Sequence, residues 1–454
     1  MHEPPPLNPP VRVLLGPGPS EVHPRVLAAL GAGTVGHLDP YYLELMNGMQ
    51  RMLRDVLRTK NEMTLAVSGT GSAGMEAAVV NLIEPGDAML VCVNGVFGGR
   101  MADVAARAGA KVTRIDRPWG EVFSADEIRR AVAESKPRVV GIVMAETSTG
   151  AAQPIEEISR IVHDAGALLL VDAVTALGGM PVETDAWQID AIYSGSQKCL
   201  SCPPGLAPLS FGPRAMEKIR ARKTKVQSWY LDVTLLAQYW GQERVYHHTA
   251  PINMTYGLYE ALRLVLEEGL DACFQRHAQN HSALKAGLAA IGIGFTAQEG
   301  HQLPMLNAVR IPEGIDDAKV RRGLLERFGI EIGGGLGEFK GKVWRIGLMG
   351  HGSRQRNVLV LLAALEELLA EQGHQFMAGA SIAAANRVYG GAMAKPADIG
   401  PLETAPGTLF KAQRNAKSSS DLPLRISRWI RIAAPAVVVA SVAVIVFGLI
   451  HKWW

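Results

Sequence analysis

Lys198 stands in a turn of small residues, Tyr193-Ser194-Gly195-Ser196-Gln197-Lys198-Cys199, just after the short apolar run Ile189 to Tyr193. A lysine attacks a carbonyl when burial or neighbouring positive charge strips its proton. Alone, this one reads as an ordinary surface lysine. Two features earlier in the chain change that. Val67-Ser68-Gly69-Thr70-Gly71-Ser72-Ala73-Gly74 follows a strand-like run and opens a helix-like one. Glycines there let the backbone approach a phosphate, and the free N–H groups of a helix N-terminus point at it. Thr70 and Ser72 add hydroxyl donors. The turn is neither GxxxxGK[ST] nor a full dinucleotide fingerprint, and glycine-rich turns of this kind are common. The second feature is Leu170-Val171-Asp172-Ala173-Val174, an apolar strand ending on an acid. A carboxylate there can keep a pyridine nitrogen protonated so that the ring accepts electrons; it would serve equally as a helix N-cap or an ion-pair partner. The order is what tells: phosphate turn, acid-ended strand, then lysine, each at the end of a strand. Together they suggest a site for pyridoxal phosphate.

The elements that must position these residues alternate between Glu62 and about Ser210. Thr64–Val67, Ala88–Val91, Val139–Val143 and Ala167–Val171 are strand-like, with amphipathic stretches such as Ala125–Ala133 and Ile155–Ala165 between them. That rhythm predicts a mainly parallel sheet covered by helices, with ligands at the carboxyl ends of the strands. A second unit runs from about Leu270 to Phe376. It contains Asn307–Ile311, the strand-like Val343–Gly347 and a helix over Asn357–Glu371. A chain of 454 residues exceeds one hydrophobic core, which agrees with two units.

Beyond about Met377 the composition shifts to Ala, Gly, Pro and Ser, as in a flexible linker. An uncharged run, Ile432 to Ile450, then has about the length of a bilayer-spanning helix. Arg425, Arg428 and Arg431 precede it and only Lys452 follows, so the positive-inside bias places the main body in the cytoplasm, anchored to a membrane. From Asn386 onward nine Lys/Arg face three Asp/Glu; of the 46 basic and 43 acidic residues, the preceding part holds 37 and 40. The basic excess therefore belongs to the tail, and the body carries no nucleic-acid stripe. Four cysteines are too few for a disulfide scaffold. Cys199 and Cys202 form a CxxC without the second pair that zinc would need, so they read as packing residues and no metal site is expected. His247-His248 could suggest a metal, but a subunit contact suits it better. Trp229-Tyr230 and Tyr239-Trp240 read as interface aromatics.

With these segments in place, the sequence resembles the class V aminotransferases, and within them the alanine–glyoxylate and serine–glyoxylate group. The matching segments include Leu14-Leu15-Gly16-Pro17-Gly18-Pro19-Ser20, Ser68–Gly71, Glu84-Pro85-Gly86-Asp87, Glu146-Thr147-Ser148-Thr149-Gly150 and Leu170–Asp172. Tyr193–Lys198, Tyr246-His247-His248-Thr249, Gly333–Gly337 and Arg345–Gly347 complete the set, which runs in family order from about residue 11 to 372. The resemblance implies fold type I of the pyridoxal-phosphate enzymes, a large α/β domain with a mainly parallel sheet and a smaller C-terminal α/β domain. It divides the chain into an N-terminal arm (1–20), a cofactor-binding large domain (21–269) and a small domain (270–376). The linker (377–424) and the membrane anchor with its transmembrane helix (425–454) have no counterpart in the family.

The resemblance also implies roles. Lys198 would form the Schiff base with the cofactor and shuttle a proton during transfer, while Asp172 would pair with the pyridine nitrogen. Phe97 would stack on the ring, and Thr147 would lie near its phenolic oxygen. Thr70, Gly71, Ser72 and Gln197 would hold the phosphate, with Tyr246 and Thr249 reaching it from a second subunit, so that a homodimer is implied. Arg345 would clamp the substrate carboxylate. Ser72 and Phe97 stand where some relatives carry histidine and tryptophan, swaps that preserve a polar neighbour and a stacking ring. The activity implied is amino transfer from alanine or serine to glyoxylate or a similar 2-oxo acid, giving glycine and pyruvate or hydroxypyruvate. Pyridoxamine–pyruvate transamination and a non-catalytic membrane-tethered scaffold are the alternatives. A cysteine desulfurase is disfavoured because Gly329–Gly350 contains no cysteine.

Overall fold

The computed structural model describes residues 6–390. Its centre is a seven-stranded sheet: β1 (Met63–Ser68), β2 (Ala88–Val93), β3 (Lys111–Asp116), β4 (Val139–Val143), β5 (Leu168–Asp172), β6 (Ala191–Tyr193) and β7 (Leu206–Phe211). The spatial order is β1-β7-β6-β5-β4-β2-β3. Every neighbouring pair is parallel except the two that involve β7, which runs against both β1 and β6. β4 and β5 are buried along their whole length. That is why they read as unbroken apolar runs rather than alternating ones. β3, at the edge, is mostly exposed and mixed in composition, and the sequence reading did not mark it.

Two helices connect sheet to site: α1 (Gly71–Leu82), which follows β1, and α2 (Val96–Arg107), which follows β2. α3 (Ile252–Glu268) then packs on the N-terminal helices Pro24–Leu30 and Pro40–Leu57. These elements share one core, in which Tyr193, Leu169, Leu170, Val140 and Met101 are fully buried.

A second core forms around a three-stranded antiparallel sheet of β8 (Leu306–Arg310), β9 (Gly333–Gly334) and β10 (Val343–Gly347), in the order β8-β10-β9. It is covered by α4 (Leu270–Ala290), Asp317–Phe328 and α5 (Gln355–Ala370). Trp344 is fully buried here and its indole N–H donates to Asp317 Oδ1 at 2.9 Å. The N-terminal segment joins this core: Val13–Leu14 pairs in parallel with Ile330–Glu331, and Leu15 is completely enclosed.

The α/β part of the expected fold class is what the structure shows; the transmembrane part needs correction. Among the described residues, no helix is long and apolar enough to cross a membrane. The longest, α4, has 21 residues but carries Asp271, Arg276, His277 and Lys285 along its length. The membrane-anchored architecture and the cytoplasmic, membrane-tethered localisation drawn from it are therefore withdrawn. The apolar run 432–450 lies outside the described residues. Part of the stretch read as linker is structured: Ala380–Val388 forms a helix (α6) that packs against α4 and α5.

Gly287 of α4 makes that docking close. A Cβ there would stand 2.5 Å from Leu362 Cδ1 and 3.0 Å from the Ser381 carbonyl. Gly287→Val is expected to wedge the helices apart and destabilise the protein by about 1–3 kcal/mol, as overpacking does. Urea denaturation measures this, and an unchanged midpoint would show that α6 contributes little to the fold.

Candidate active site

Five parallel strands end on the same side of the large sheet, and the residue types singled out above follow those ends within a few positions. Thr70 follows β1, Phe97 follows β2, Thr147 follows β4, Asp172 terminates β5, and Gln197 and Lys198 follow β6. Register brings the acid inward: Asp172 lies opposite Val143 of β4 and Tyr193 of β6. Thr70, Gly71, Ser72, Phe97, Thr147 and Asp172, together with Gln197 and Lys198, line one cavity of about 140 Å³.

Asp172 is 3% exposed. Its Oδ1 accepts the Val174 N–H at 2.8 Å and its Oδ2 accepts the Tyr193 hydroxyl at 2.7 Å. Both bonds favour the ionised form. Burial outweighs them, with Glu146 adding repulsion, and raises the carboxyl to about 6. Lys198 is 9% exposed, and burial lowers its amine to about 8. The amine donates to the Pro17 carbonyl, and the Lys198 carbonyl accepts from Ser20 Oγ at 2.6 Å. Gly18 is obligatory between those two contacts: its φ is +112°, and a Cβ would lie 2.7 Å from Lys198 Nζ.

Glu146, entirely buried, organises the opposite side. Its carboxylate accepts from the Phe97 and Gly98 N–H groups at 3.1 and 3.3 Å, and from the Ser148 N–H and hydroxyl at 3.0 and 2.6 Å. Ser148 Oγ in turn accepts the Val96 N–H at 3.0 Å. The first turn of α2 is thus capped from another strand end, which satisfies amides that have no intrahelical partner. Gly95 is extended rather than left-handed, yet any side chain there would collide with Glu146. Burial pushes the Glu146 carboxyl up, against the four bonds that favour its charge.

A phosphorylated pyridine aldehyde fits these residues. Gln197 Oε1 is buried without a hydrogen-bond partner, in a side-chain amide whose orientation can reverse to offer its NH₂ group. Thr70 N-caps α1 without a side-chain capping bond, so the first turn of that helix is open to an anion. A raised carboxyl and a depressed amine in one cavity are what a cationic ring nitrogen and a carbonyl would relieve.

Arg345 lies on β10, 8% exposed, with Nε donating to the Gly334 carbonyl at 2.7 Å. Burial lowers its pKa, and the charge that acts against this is Glu146. It does not line the 140 Å³ cavity. Tyr246 and Thr249 do not line it either: Tyr246 is 58% exposed and Thr249 is exposed. Tyr246 packs near His37 with ring centroids 5.2 Å apart, and Trp229 stacks on His247 at 4.4 Å. A larger cavity of about 390 Å³ borders Cys199–Ser201, but of its two arginines Arg276 is engaged by Glu268 and the carbonyls of Gly350 and Ser353, Arg354 contacts His351, and neither Lys198 nor Asp172 lines it. The chemistry therefore belongs to the smaller one.

Four residues that matter had no role in the sequence reading. Gly18, Glu146 and Tyr193 lay inside quoted segments, but their partners are distant in sequence. Arg100, which also lines the cavity, had a local signal: it is three residues after Phe97, on the same helix face.

The profile of the family described as aminotransferase class-V matches residues 19–338. (S)-ureidoglycine–glyoxylate transaminase of Bacillus subtilis (strain 168) is 40% identical over 84% of this chain and 96% of its own length. The solved structure of alanine–glyoxylate aminotransferase from Nostoc sp. is 52% identical with a TM-score of 0.80, covering 81% of this chain and 98% of that one. That of pyridoxamine–pyruvate aminotransferase from Mesorhizobium loti has a TM-score of 0.80 at 29% identity, covering 83% and 97%.

The Asp172 shift carries a consequence for the apoprotein. Its folded-state value, about 6, lies above the ordinary 3.8, so its stabilising contribution is complete below pH ~4 and lost as the pH rises through ~6. Apo Asp172→Asn should therefore be more stable than apo wild type at pH 8, by on the order of 1–3 kcal/mol, with the gap closing near pH 4. Chemical denaturation at the two pH values decides it. A variant less stable at pH 8 would mean that the hydrogen bonds outweigh burial.

Proposed function

The chain belongs to the class V aminotransferase family, and on that premise we propose that it moves the amino group of alanine or serine to glyoxylate or a similar 2-oxo acid. It is a transaminase that uses pyridoxal phosphate. The observation that carries the reading is Lys198: a buried amine, held by Pro17 and lowered to about 8, in the same cavity as the buried carboxylate of Asp172.

When bound, the cofactor supplies an aldehyde that exchanges amino groups and a ring that accepts electrons. The protein's own residues do the rest. Lys198, with its proton loosened by burial, would take the proton from the substrate's amino-bearing carbon and return it to the cofactor's former aldehyde carbon. Asp172, ionised above pH ~6 and fixed by Tyr193 and Val174, holds a ring nitrogen in its cationic form. Phe97, anchored through Glu146, would stack on the ring. Thr147 would lie beside its phenolic oxygen. Thr70, Gly71, Ser72 and Gln197 would hold the phosphate with hydroxyl, backbone and amide donors. Arg345 orients a substrate carboxylate by a paired fork of N–H donors. The glyoxylate acceptor is supported by the names of the Bacillus and Nostoc relatives.

Completion of the site by Tyr246 and Thr249 from a second copy of the chain is part of the proposal. Both are exposed, and the exposed aromatic Trp229 stacks on His247 between them in sequence. A fully active monomer in light scattering would overturn it. Pyridoxamine–pyruvate transamination has a structural neighbour in the Mesorhizobium enzyme, but Thr70, Ser72 and the unpartnered Gln197 amide favour a phosphorylated cofactor held in place.

Purified protein should absorb at ~410–430 nm once supplied with pyridoxal phosphate, and Lys198→Ala should lose that band. L-alanine or L-serine should bleach it and glyoxylate restore it, in two separable half-reactions. Arg345→Gln should raise KM for both amino and oxo acid by about 10²-fold, the scale of a lost charge-assisted pair. A protein that stays colourless with the cofactor, or a band indifferent to every small amino acid, would refute the assignment.

A further inference from the structure

The phosphate donors assigned above, Thr70, Gly71, Ser72 and Gln197, are all neutral. A phosphate monoester near neutral pH carries close to two negative charges, and Lys198 is committed to the aldehyde end. The cavity has one further cation, Arg100 of α2. Its guanidinium carbon sits 4.9 Å from the centroid of the Phe97 ring, and its Nη1 donates to Ser72 Oγ at 3.3 Å. The side chain therefore spans from the stacking ring to the phosphate turn. That placement follows from the helix: residues three apart share a face, so Arg100 is carried over Phe97 by the turn that Glu146 caps.

We propose that Arg100 is a cofactor-binding residue, the counter-charge for the phosphate and the support for one face of the Phe97 ring. This rests on the reading of the cavity as a pyridoxal-phosphate site. A guanidinium seated over one ring face leaves a single face for a second aromatic, so the same contact that brings charge to Ser72 also limits how Phe97 can stack. The pairing with Ser72 is soft: a neutral hydroxyl at 3.3 Å in an exposed setting exchanges readily for an anion, to which guanidinium binds more strongly. Charge at the phosphate end separates the phosphorylated cofactor from its unphosphorylated vitamer. Arg100 would then determine which form of the vitamin the enzyme retains.

The experiment is a binding titration on apoprotein, not an activity assay. Pyridoxal phosphate, pyridoxal and inorganic phosphate are titrated into wild type, Arg100→Met and Arg100→Lys at two salt concentrations. Arg100 is exposed, and methionine keeps a flexible chain over the Phe97 ring, so the fold is not at risk. Arg100→Met should weaken pyridoxal phosphate and inorganic phosphate by about tenfold or more while changing pyridoxal less than about twofold. It should also flatten the salt dependence, and Arg100→Lys should recover part of the loss. Equal losses for pyridoxal phosphate and pyridoxal, or no loss for either, would overturn the counter-charge role. A wild type that binds no pyridoxal phosphate would instead refute the cofactor reading itself, and the inference with it.

Discussion

Burying a carboxyl and an amine in one strand-end cavity is the constraint around which the rest of the molecule is arranged. Water is excluded from both Asp172 and Lys198, and the neutral partners supplied in its place do not compensate. Val174 and Tyr193 donate to the acid, and Pro17 accepts from the amine, yet the acid is pushed up to about 6 and the amine down to about 8. These neighbours fix direction rather than charge. The apoprotein is left with two groups whose ionisation is unfavourable in opposite senses, and a ligand with a cationic nitrogen and an electrophilic carbon would relieve both. Stability without the cofactor and readiness to bind it are therefore opposed at this site.

Orientation within the cavity depends on a second buried acid that touches no reacting atom. Glu146 gathers the N–H groups of Phe97, Gly98 and Ser148 and binds the Ser148 hydroxyl, tying the start of α2 to the turn that carries Thr147. A carboxylate with four donors in a dry interior holds its neighbours far more tightly than packing alone, because removing it leaves every donor unpaired. One group thus fixes both the helix that presents Phe97 and the loop that presents Thr147. The absence of a side chain at Gly95 is the steric condition for that approach.

Much of this was legible in the chain. The buried strands β4 and β5 announced themselves as apolar runs, and the alternation of strands and helices predicted where their ends would gather. Lys198, Asp172 and the Thr70–Ser72 turn were readable because each sits at an element boundary where residue type matters locally. What escaped has a common cause. β3 is an exposed edge strand whose composition carries no burial signal. Glu146 and Gly18 act on partners 49 and 180 positions away, and no spacing rule links such pairs. The tail shows the opposite error. A long apolar run and flanking arginines are a composition signal, whereas no described helix has the length and apolarity to span a bilayer. The helix Ala380–Val388 was hidden by its small residues, which pack closely on α4 because they are small.

The distance between the two ends of a bound substrate is set in yet another way. Arg345 belongs to the second core, on a strand between β8 and β9, while Lys198 belongs to the first. The segment from Val13 to Ser20 touches both. Leu15 is enclosed in the second core, and its carbonyl accepts the Gly347 N–H at 2.8 Å, two residues from Arg345. Five residues further on, Ser20 accepts nothing from that core; its N–H donates to the Gln197 carbonyl at 2.9 Å and its hydroxyl to the Lys198 carbonyl. Between them, Pro17 receives the lysine amine. A single short stretch of backbone therefore links the residue that would hold a carboxylate to the residue that would move a proton. Main-chain hydrogen bonds fix that link more rigidly than side-chain contacts, whose rotamers remain adjustable. The position of β10 is thus tied through Leu15 and Pro17 to the lysine amine, so the strand that carries Arg345 and the turn that carries Lys198 share one backbone support.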